Sequence, residues 1–405
     1  MKQMDVLIVG AGPVGLLCAL GLAREGINVT ILESEAGIVD SPRAMVYHWS
    51  VLAGLEKLGV LDDAMRTGFS KTDYRYLVHK TGESIEWTLD VLKGHVRHPY
   101  NVHLGQNRLA EIALRHVERL GNVELHWSTR FESLVQDEDG VTVEASGPVG
   151  VERYRAAWLI GADGARSAVR RNLGLGFDGM TWDKRFVATN IRFDLESLGH
   201  PRSTMLLDDV YGAIIAKIDK DDLWRCTYCE DPSLPEEGVA DRIPDMLANI
   251  LPGADSLELV QYSPYRMHQR AASRFRVGRV LLAGDSAHST NPTGGLGLTS
   301  GLFDTYVLYE ALAAVIRGEA EDSLLDRYAE ERRRVFLEIA SPQASENNRL
   351  VYDSGDPVRL EEDLRKLRRM ATDDAFRLER SLFTRKLETP SLVSGLRAEE
   401  ALVEA

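Results

Sequence analysis

Two glycine-rich turns near opposite ends of the chain constrain its fold most. Residues 10–15 follow the apolar run Val6-Leu7-Ile8-Val9, and residues 284–301 follow the apolar run 280–283. Each place has a buried strand, a turn and a helix in succession, which suits the phosphates of a large cofactor. Either turn alone is compatible with NAD, FAD or another nucleotide as the cofactor. Together they indicate that both hold one long molecule, a flavin dinucleotide.

The first turn has G-x-G-x-x-G spacing. Its glycines allow a tight turn, close approach of a pyrophosphate and close packing of helix on strand. Glu33 ends the next strand, where an acid accepts hydrogen bonds from the adenosine ribose and disfavours a 2′-phosphate. This site should therefore hold FAD or NAD, with contacts from Gly10, Gly12, Pro13, Val14 and Gly15.

Composition is that of a soluble globular protein with two or three domains. The chain has 405 residues, 44% hydrophobic and 27% charged, and a net charge of −14. Such an acidic chain argues against nucleic acid or anionic membranes as partners. Cys226 and Cys229 form a lone C-x-x-C, which we interpret as ordinary thiols on a strand, with no metal. We find no signal peptide or bilayer-spanning run, so we expect a cytoplasmic enzyme.

The pattern of strands and helices predicts an α/β fold. We expect a Rossmann-like FAD-binding domain, an inserted β-sheet domain that binds substrate, and a helical C-terminal tail. The predicted boundaries are 1–176 for the first part of the FAD-binding domain, with an inserted hairpin at about 70–105, then 177–277 for the inserted sheet, 278–340 for the second part and 341–405 for the tail.

Two further motifs lie after buried strands. One is Gly161-Ala162-Asp163-Gly164-Ala165-Arg166-Ser167, and the other begins with Gly284-Asp285. Asp285 ends its strand and can hold the ribityl chain. The following loop leads into a helix whose N-terminus can stabilise negative charge on a reduced flavin. The predicted contacts of this loop and helix are Pro292, Gly295, Gly297 and Leu298.

The three motifs in this order resemble the single-component aromatic hydroxylases of the p-hydroxybenzoate hydroxylase type, over residues 4 to 340. The resemblance implies that Asp163, Arg43 and Gln106 contact FAD. It also implies that Arg166 and Arg266 contact the nicotinamide cofactor. Because the chain has no second G-x-G-x-x-G, NADH or NADPH would bind transiently at the surface.

The resemblance implies an FAD-dependent monooxygenase. In that family NAD(P)H reduces FAD, O₂ forms a flavin hydroperoxide, and a hydroxylated ring is then hydroxylated. Segments 45–49, 103–107 and 291–298 are most similar to hydroxylases of para-substituted phenols and hydroxypyridines, such as p-nitrophenol and 6-hydroxy-3-succinoylpyridine monooxygenases. Ipso attack para to the hydroxyl, with loss of the substituent, is therefore implied. Members are often dimers, which leaves a homodimer open.

Substrate contacts should come from the inserted sheet, which faces the flavin. The candidates there are Tyr211, Ile215, Trp224, Cys226 and Tyr228, and Tyr47, which follows the Arg43 segment, is a further candidate. Side chains alternate along a strand, so we expect some of these to point away. The candidate catalytic residues are His48, Tyr211 and Pro292. His48 could be a base, since histidine titrates near neutrality, or a structural residue at a helix start.

The sequence supports other functions of the same scaffold less well. An FAD-dependent oxidoreductase acting without oxygen insertion is the alternative. A flavin halogenase should carry a Trp-x-Trp-x-Ile motif, which is absent, and a prenyl reductase should be basic or membrane-associated. A non-enzymatic flavin regulator would not need the intact loop from Pro292 to Leu298, which suits a sheltered reaction.

Overall fold

The computed structural model describes residues 3–40 and 44–404, which form an α/β fold with two large sheets. Strands β1 to β19 are, in chain order, Gln3–Val9, Val29–Leu32, Val46–Tyr47, Phe69–Lys71, Asp73–Val78, Ser84–Thr88, Asn101–His103, Val123–His126, Arg130–Gln136, Val141–Gly147, Gly150–Gly161, Phe177–Arg192, Ser203–Leu207, Ala213–Lys217, Leu223–Glu230, Glu258–Ala272, Arg276–Val277, Val280–Leu282 and His288–Ser289.

Helices surround both sheets. Helices α1 to α12 are Pro13–Arg24, Trp49–Lys57, Leu61–Thr67, Gln106–Val117, Ala168–Asn172, Val239–Ile250, Leu296–Ile316, Ser323–Val335, Ser341–Tyr352, Pro357–Thr372, Asp374–Ser381 and Ala398–Glu404. A π-helical turn, Phe336–Ala340, joins α8 to α9. Among the described residues, no helix is long and apolar enough to cross a membrane.

The first sheet is the nucleotide-binding sheet. Its parallel strands lie in the order β8, β2, β1, β11 and β18, so strands from both ends of the chain are neighbours. Its central strands are continuous apolar runs because helices cover both faces. Val6, Leu7 and Ile8 are fully buried. The Rossmann-like fold predicted from sequence is confirmed.

The second sheet has the order β19, β16, β12, β15, β14, β13, β5 and β6. Helix α6 covers one of its faces, and residues of α9 and α10 pack on the other. The hairpin β5–β6 comes from the N-terminal part of the chain, yet β5 runs parallel to β13, with Arg75 opposite Thr204. The predicted inserted hairpin therefore extends the second sheet.

A small third sheet consists of β3, β7 and β4, and its Tyr47 and Val102 pack in the core of the first sheet. Val46 and Tyr47 form β3, and His48 follows directly as the residue before α2. Met45 packs with Ala216 and Ile218 of the second sheet. This small sheet thus brings the segment after β2 to the junction of the two sheets.

Candidate cofactor and substrate site

The three predicted cofactor motifs meet at one edge of the first sheet. A Cβ atom added to Gly10 would lie 2.4 Å from the carbonyl oxygen of Ala162, and one added to Gly284 would lie 2.9 Å from Val14 Cγ2. The first motif therefore touches both the second and the third. Because parallel strands end together at this edge, distant segments form one site.

The first turn has the geometry that a bound diphosphate requires. Gly10 has a φ of +108°, which side chains rarely adopt, and α1 begins at Pro13. A Cβ added to Gly12 would meet nothing within 4 Å, so space is open beside the helix N-terminus. Glu33 Oε2 accepts a hydrogen bond of 2.7 Å from the Ala11 amide, which fixes the acid beside the turn. These residues fit the adenosine and diphosphate parts of FAD.

The second motif presents a partly satisfied carboxylate. Asp163 Oδ2 accepts from the amides of Ala168 at 2.7 Å and Val169 at 3.1 Å. Its Oδ1 is buried and has no partner within the described residues. Burial raises the pKa of Asp163 above its ordinary value. A buried oxygen without a partner fits a hydroxyl donor of the cofactor.

Arg170 connects the second and third motifs, although sequence reasoning gave it no role. Its Nη1 donates to the carbonyl of Ser286 at 2.7 Å, and its Nη2 donates to the carbonyl of Ala165 at 2.8 Å. The guanidinium also lies over the ring of Phe177. In the sequence, the position of Arg170 shortly after Asp163-Gly164 is the one indication that it connects the two motifs.

The third motif ends at the N-terminus of a long buried helix. Asp285 is exposed just after β18, and Gly294 and Gly295 have φ values of +90° and +68° before α7 begins. Pro292 is exposed, and its carbonyl accepts from the Gly295 amide at 3.0 Å. Gly297 and Leu298 lie in the first turn of α7 and are partly buried. The loop can therefore present helix amides to a flavin ring.

Helix α9 supports this loop from behind, which the sequence did not reveal. Asn347 Nδ2 donates to the carbonyl of Thr293 at 3.4 Å, and Thr293 Oγ1 donates to Asn348 Oδ1 at 3.3 Å. Gln343 Nε2 donates to Asn347 Oδ1 at 2.8 Å. The predicted C-terminal tail thus takes part in the site.

Gln106 lines an open cavity next to the second sheet. Gln106 is the first residue of α4, and its amide donates to the carbonyl of Ala44 at 3.0 Å. The cavity, of about 390 Å³, lies between α4 and the second sheet and is lined by Gln106, Asn190 and Arg225 among others. Arg43, the predicted contact of the FAD diphosphate, lies outside the described residues.

His48 is joined to the flavin-side loop. Its Nε2 lies 2.7 Å from the carbonyl oxygen of Gly294, and its Nδ1 lies 3.4 Å from Asn101 Nδ2. Because a carbonyl can only accept, Nε2 carries the hydrogen and Nδ1 keeps the lone pair. Burial lowers the pKa of His48, so the ring is neutral near pH 7.

The side chain of Tyr47 lies in the hydrophobic core of the first sheet. It is 1% exposed and packs with the core of the first sheet. Its hydroxyl is buried without a hydrogen-bond partner among the described residues, and burial raises its pKa. This position argues for core packing rather than for contact with a substrate.

The structure divides the residues of the second sheet between two faces. Four of the predicted substrate residues lie in one buried cluster with α6: Ile215, Trp224, Cys226 and Tyr228. The opposite face carries Ile214, Ala216, Thr227 and Tyr265, which alternate with them or lie on β16. Both faces are buried, so the alternation pattern alone could not show which one faces the flavin.

Tyr211 also lies away from the cofactor motifs. It sits between β13 and β14, partly buried against the cluster of α6. Its ring centroid is 4.9 Å from that of His79, and its amide donates to Asp208 Oδ1 at 2.9 Å. This environment argues against Tyr211 as a catalytic or substrate residue.

The two predicted nicotinamide contacts are exposed arginines. Arg166 lies in the second motif, and Arg266 alternates with His268 and Arg270 along β16. Burial, and then the charges of Arg270 and Arg166, lower the pKa of His268, so Arg166 lies near this strand. Arg270 Nη2 donates to Thr181 Oγ1 at 2.9 Å. A basic surface next to the cofactor motifs results.

Comparison with known proteins agrees with this geometry. The FAD binding domain family matches residues 3–341, and the chain belongs to this family. It is 49% identical over 353 residues to 6-hydroxy-3-succinoylpyridine 3-monooxygenase HspB of Pseudomonas putida, covering 87% of this chain and 90% of that protein. It is 44% identical to para-nitrophenol 4-monooxygenase of a Pseudomonas species, covering 90% and 91%.

A solved structure is similar over nearly the whole chain. The crystal structure of p-nitrophenol 4-monooxygenase PnpA from Pseudomonas putida DLL-E4 matches with a TM-score of 0.93 and 41% identity, covering 96% of this chain and 99% of that one. The chain is therefore an FAD-dependent aromatic-ring monooxygenase that uses NAD(P)H and O₂. This confirms the predicted family, cofactors and enzyme class, and nothing favours the alternative without oxygen insertion.

Proposed function

We propose that the enzyme hydroxylates a phenol or hydroxypyridine at a ring carbon para to the hydroxyl and expels the substituent there. The observation that carries this proposal is the hydrogen bond between His48 and the Gly294 carbonyl, in the loop of the third cofactor motif, and the lowered pKa of the buried His48 supports it. The names of two similar enzymes, which specify a 6-hydroxypyridine and a para-substituted phenol, support the same substrate class.

Bound FAD, reduced by NAD(P)H, supplies the activation of O₂. The protein supplies position and proton transfer. His48 donates its Nε2 hydrogen to Gly294, which fixes the ring. Its Nδ1 accepts the proton of the substrate hydroxyl once the substrate replaces the 3.4 Å contact of Nδ1 with Asn101 Nδ2. Removing that proton makes the ring more electron-rich and therefore more reactive towards an electrophile.

We expect the substrate to lie against the face of the second sheet opposite α6, which we call the inner face. Ala216 packs near Met45 and Val46, and Val46 Cβ would be 3.7 Å from a Cβ atom on Gly295. The inner face thus reaches the loop next to the cofactor. We propose Ile214, Ala216, Thr227 and Tyr265 as substrate contacts in place of the residues that face α6.

Arg166 and Arg266 are proposed to bind the phosphates of NADH or NADPH. Both are exposed, which suits a cosubstrate that binds and leaves in each turnover. We also propose that the enzyme is a cytoplasmic homodimer, as expected from the resemblance to single-component hydroxylases. Sedimentation of the purified protein tests the dimer.

The decisive experiment measures NAD(P)H oxidation by the purified holoenzyme with a panel of para-substituted phenols and 2-hydroxypyridines. Each ring without its para substituent serves as the matched control, and mass analysis identifies the products. We expect stimulation with release of the substituent. Hydrogen peroxide formed in the same assay measures uncoupled oxidation. Oxidation that yields only peroxide with every ring would refute the proposed substrate class.

A further inference from the structure

A buried group of ionisable side chains lies directly behind the third cofactor motif and has no part in the function proposed above. Asp304, His288 and Arg332 are all 0% exposed. They come from α7, β19 and α8. Burying three ionisable side chains is unfavourable unless they satisfy one another's charges and hydrogen bonds. We therefore expect this group to have a structural or functional role.

Asp304 ties the cofactor turn to α7. Its Oδ2 accepts from the Gly284 amide at 2.9 Å and from His288 Nε2 at 2.7 Å, while its Oδ1 accepts from Arg332 Nε at 2.8 Å. Gly284 has a φ of +62° and immediately precedes Asp285. One carboxylate therefore holds both the end of β18 and α7, the helix that follows the loop of the third motif.

Arg332 extends this link to the end of the chain. Its Nη1 donates to the carbonyl of Leu387 at 2.8 Å and to Thr389 Oγ1 at 2.9 Å. Its Nη2 donates to the carbonyl of Ser300 in α7 at 3.3 Å. The segment 387–389 is thereby joined to the cofactor turn through two side chains.

We propose that Asp304 and Arg332 are positioning residues that hold the Gly284–Asp285 turn in the shape that binds FAD, and that residues 387–389 belong to this device. This rests on the proposed FAD-dependent function and on the role predicted for Asp285 from its sequence motif, which is to hold FAD. A turn held in place before FAD arrives needs no further ordering, so FAD binds more tightly. Burial opposes ionisation of Asp304, but His288 and Arg332 outweigh it and lower its pKa.

Thr389→Val tests the link with little disturbance of shape, because it removes one acceptor of Arg332. FAD release from the diluted holoenzyme gives the dissociation constant, which we expect to rise about fivefold. The turnover number at saturating FAD should remain that of the parent. Thr384→Val is the matched control: Thr384 Oγ1 is buried in the adjoining turn, Leu382–Leu387, without a partner among the described residues.

Arg332 and Asp304 are tested in the same assay. Arg332→Met should weaken FAD binding about tenfold or more, and Arg332→Lys should recover part of that loss because it restores the charge. Asp304→Asn should behave like Arg332→Met if it folds. An unchanged dissociation constant in both Thr389→Val and Arg332→Met overturns the proposal. So does a lowered turnover number at saturating FAD, which would indicate general damage.

Asp285→Ala separates this inference from the role of the turn itself. If Asp285→Ala loses FAD while Thr389→Val and Arg332→Met keep the parent affinity, only the link to the C-terminal segment is wrong. If Asp285→Ala keeps full FAD affinity, the turn itself has been misassigned and the proposal fails with it.

Discussion

The imidazole Nε2 of His48 and the carbonyl oxygen of Gly294 are 2.7 Å apart, although 246 residues separate them in the chain. This bond fixes which nitrogen of His48 can accept a proton. His48→Gln should therefore lower the turnover number by about 100-fold or more, because the proton acceptor is lost. FAD content, measured by absorbance, should stay close to that of the parent. Turnover within a fewfold of the parent would show that His48 only supports the loop.

The same residue sets the acid limit of the reaction. Because burial lowers the pKa of His48 below its ordinary value of 6.5, the ring should stay neutral well into the acidic range. The acidic limb of a plot of kcat/KM against pH should lie below pH 6.5 and disappear in His48→Gln. A limb above pH 7 that survives in this variant would assign the base to another group.

Neighbouring residues of β14 offer a matched test of the proposed substrate face of the second sheet. Ile215 is 0% exposed in the cluster with α6, so Ile215→Ala should lower the free energy of unfolding by about 2–4 kcal/mol. The KM for the aromatic substrate should not change. Ile214→Ala, on the opposite face, should raise that KM and affect unfolding less. The reverse pattern, measured by urea unfolding and steady-state kinetics, would place the substrate on the α6 side.

Arg166→Ala should raise the KM for NAD(P)H about tenfold, since one charge-assisted contact with a phosphate is lost. Arg166 is exposed and lies in the second motif, so FAD content should not fall. Arg153→Ala is the control, because Arg153 is paired with Glu144 on an exposed strand away from the site. An unchanged KM in Arg166→Ala would remove this residue from the cosubstrate site.

Glu388 should make stability fall as pH rises. Burial raises its pKa from 4.5 to about 7, and its carboxyl is 10% exposed. Between these values the folded chain holds a proton that the unfolded chain has released, so the free energy of unfolding decreases with pH. Glu388→Gln should remove the effect and be more stable than the parent by roughly 3 kcal/mol at pH 8, but not at pH 4. Equal pH dependence of the thermal midpoint in both proteins would contradict this.

The cofactor half of the site was predictable because its signals are local. The turn from Gly10 to Gly15 and the acid at Glu33 lie within a single strand, helix and strand, and each residue type follows from the contact it must make. The three motifs were predicted to hold one cofactor, and the structure brings them together at one sheet edge.

The substrate half was not predictable in the same way. Period-two alternation shows that Ile215 shares a face with Cys226, but Ile214 is also apolar and both faces are covered. Only tertiary packing decides which face meets the cofactor. The roles of Asn347 and Arg332 depend on helices far from the motifs in sequence, and no local pattern indicates those contacts.

The pairing of β5 with β13 joins a hairpin from the first quarter of the chain to the sheet built by its middle. A fragment starting at residue 177 would leave β13 with an open edge and an unpaired row of amides and carbonyls. The enzyme therefore cannot be divided into separately expressed cofactor and substrate halves, and swapping the middle sheet between relatives requires exchanging the hairpin as well.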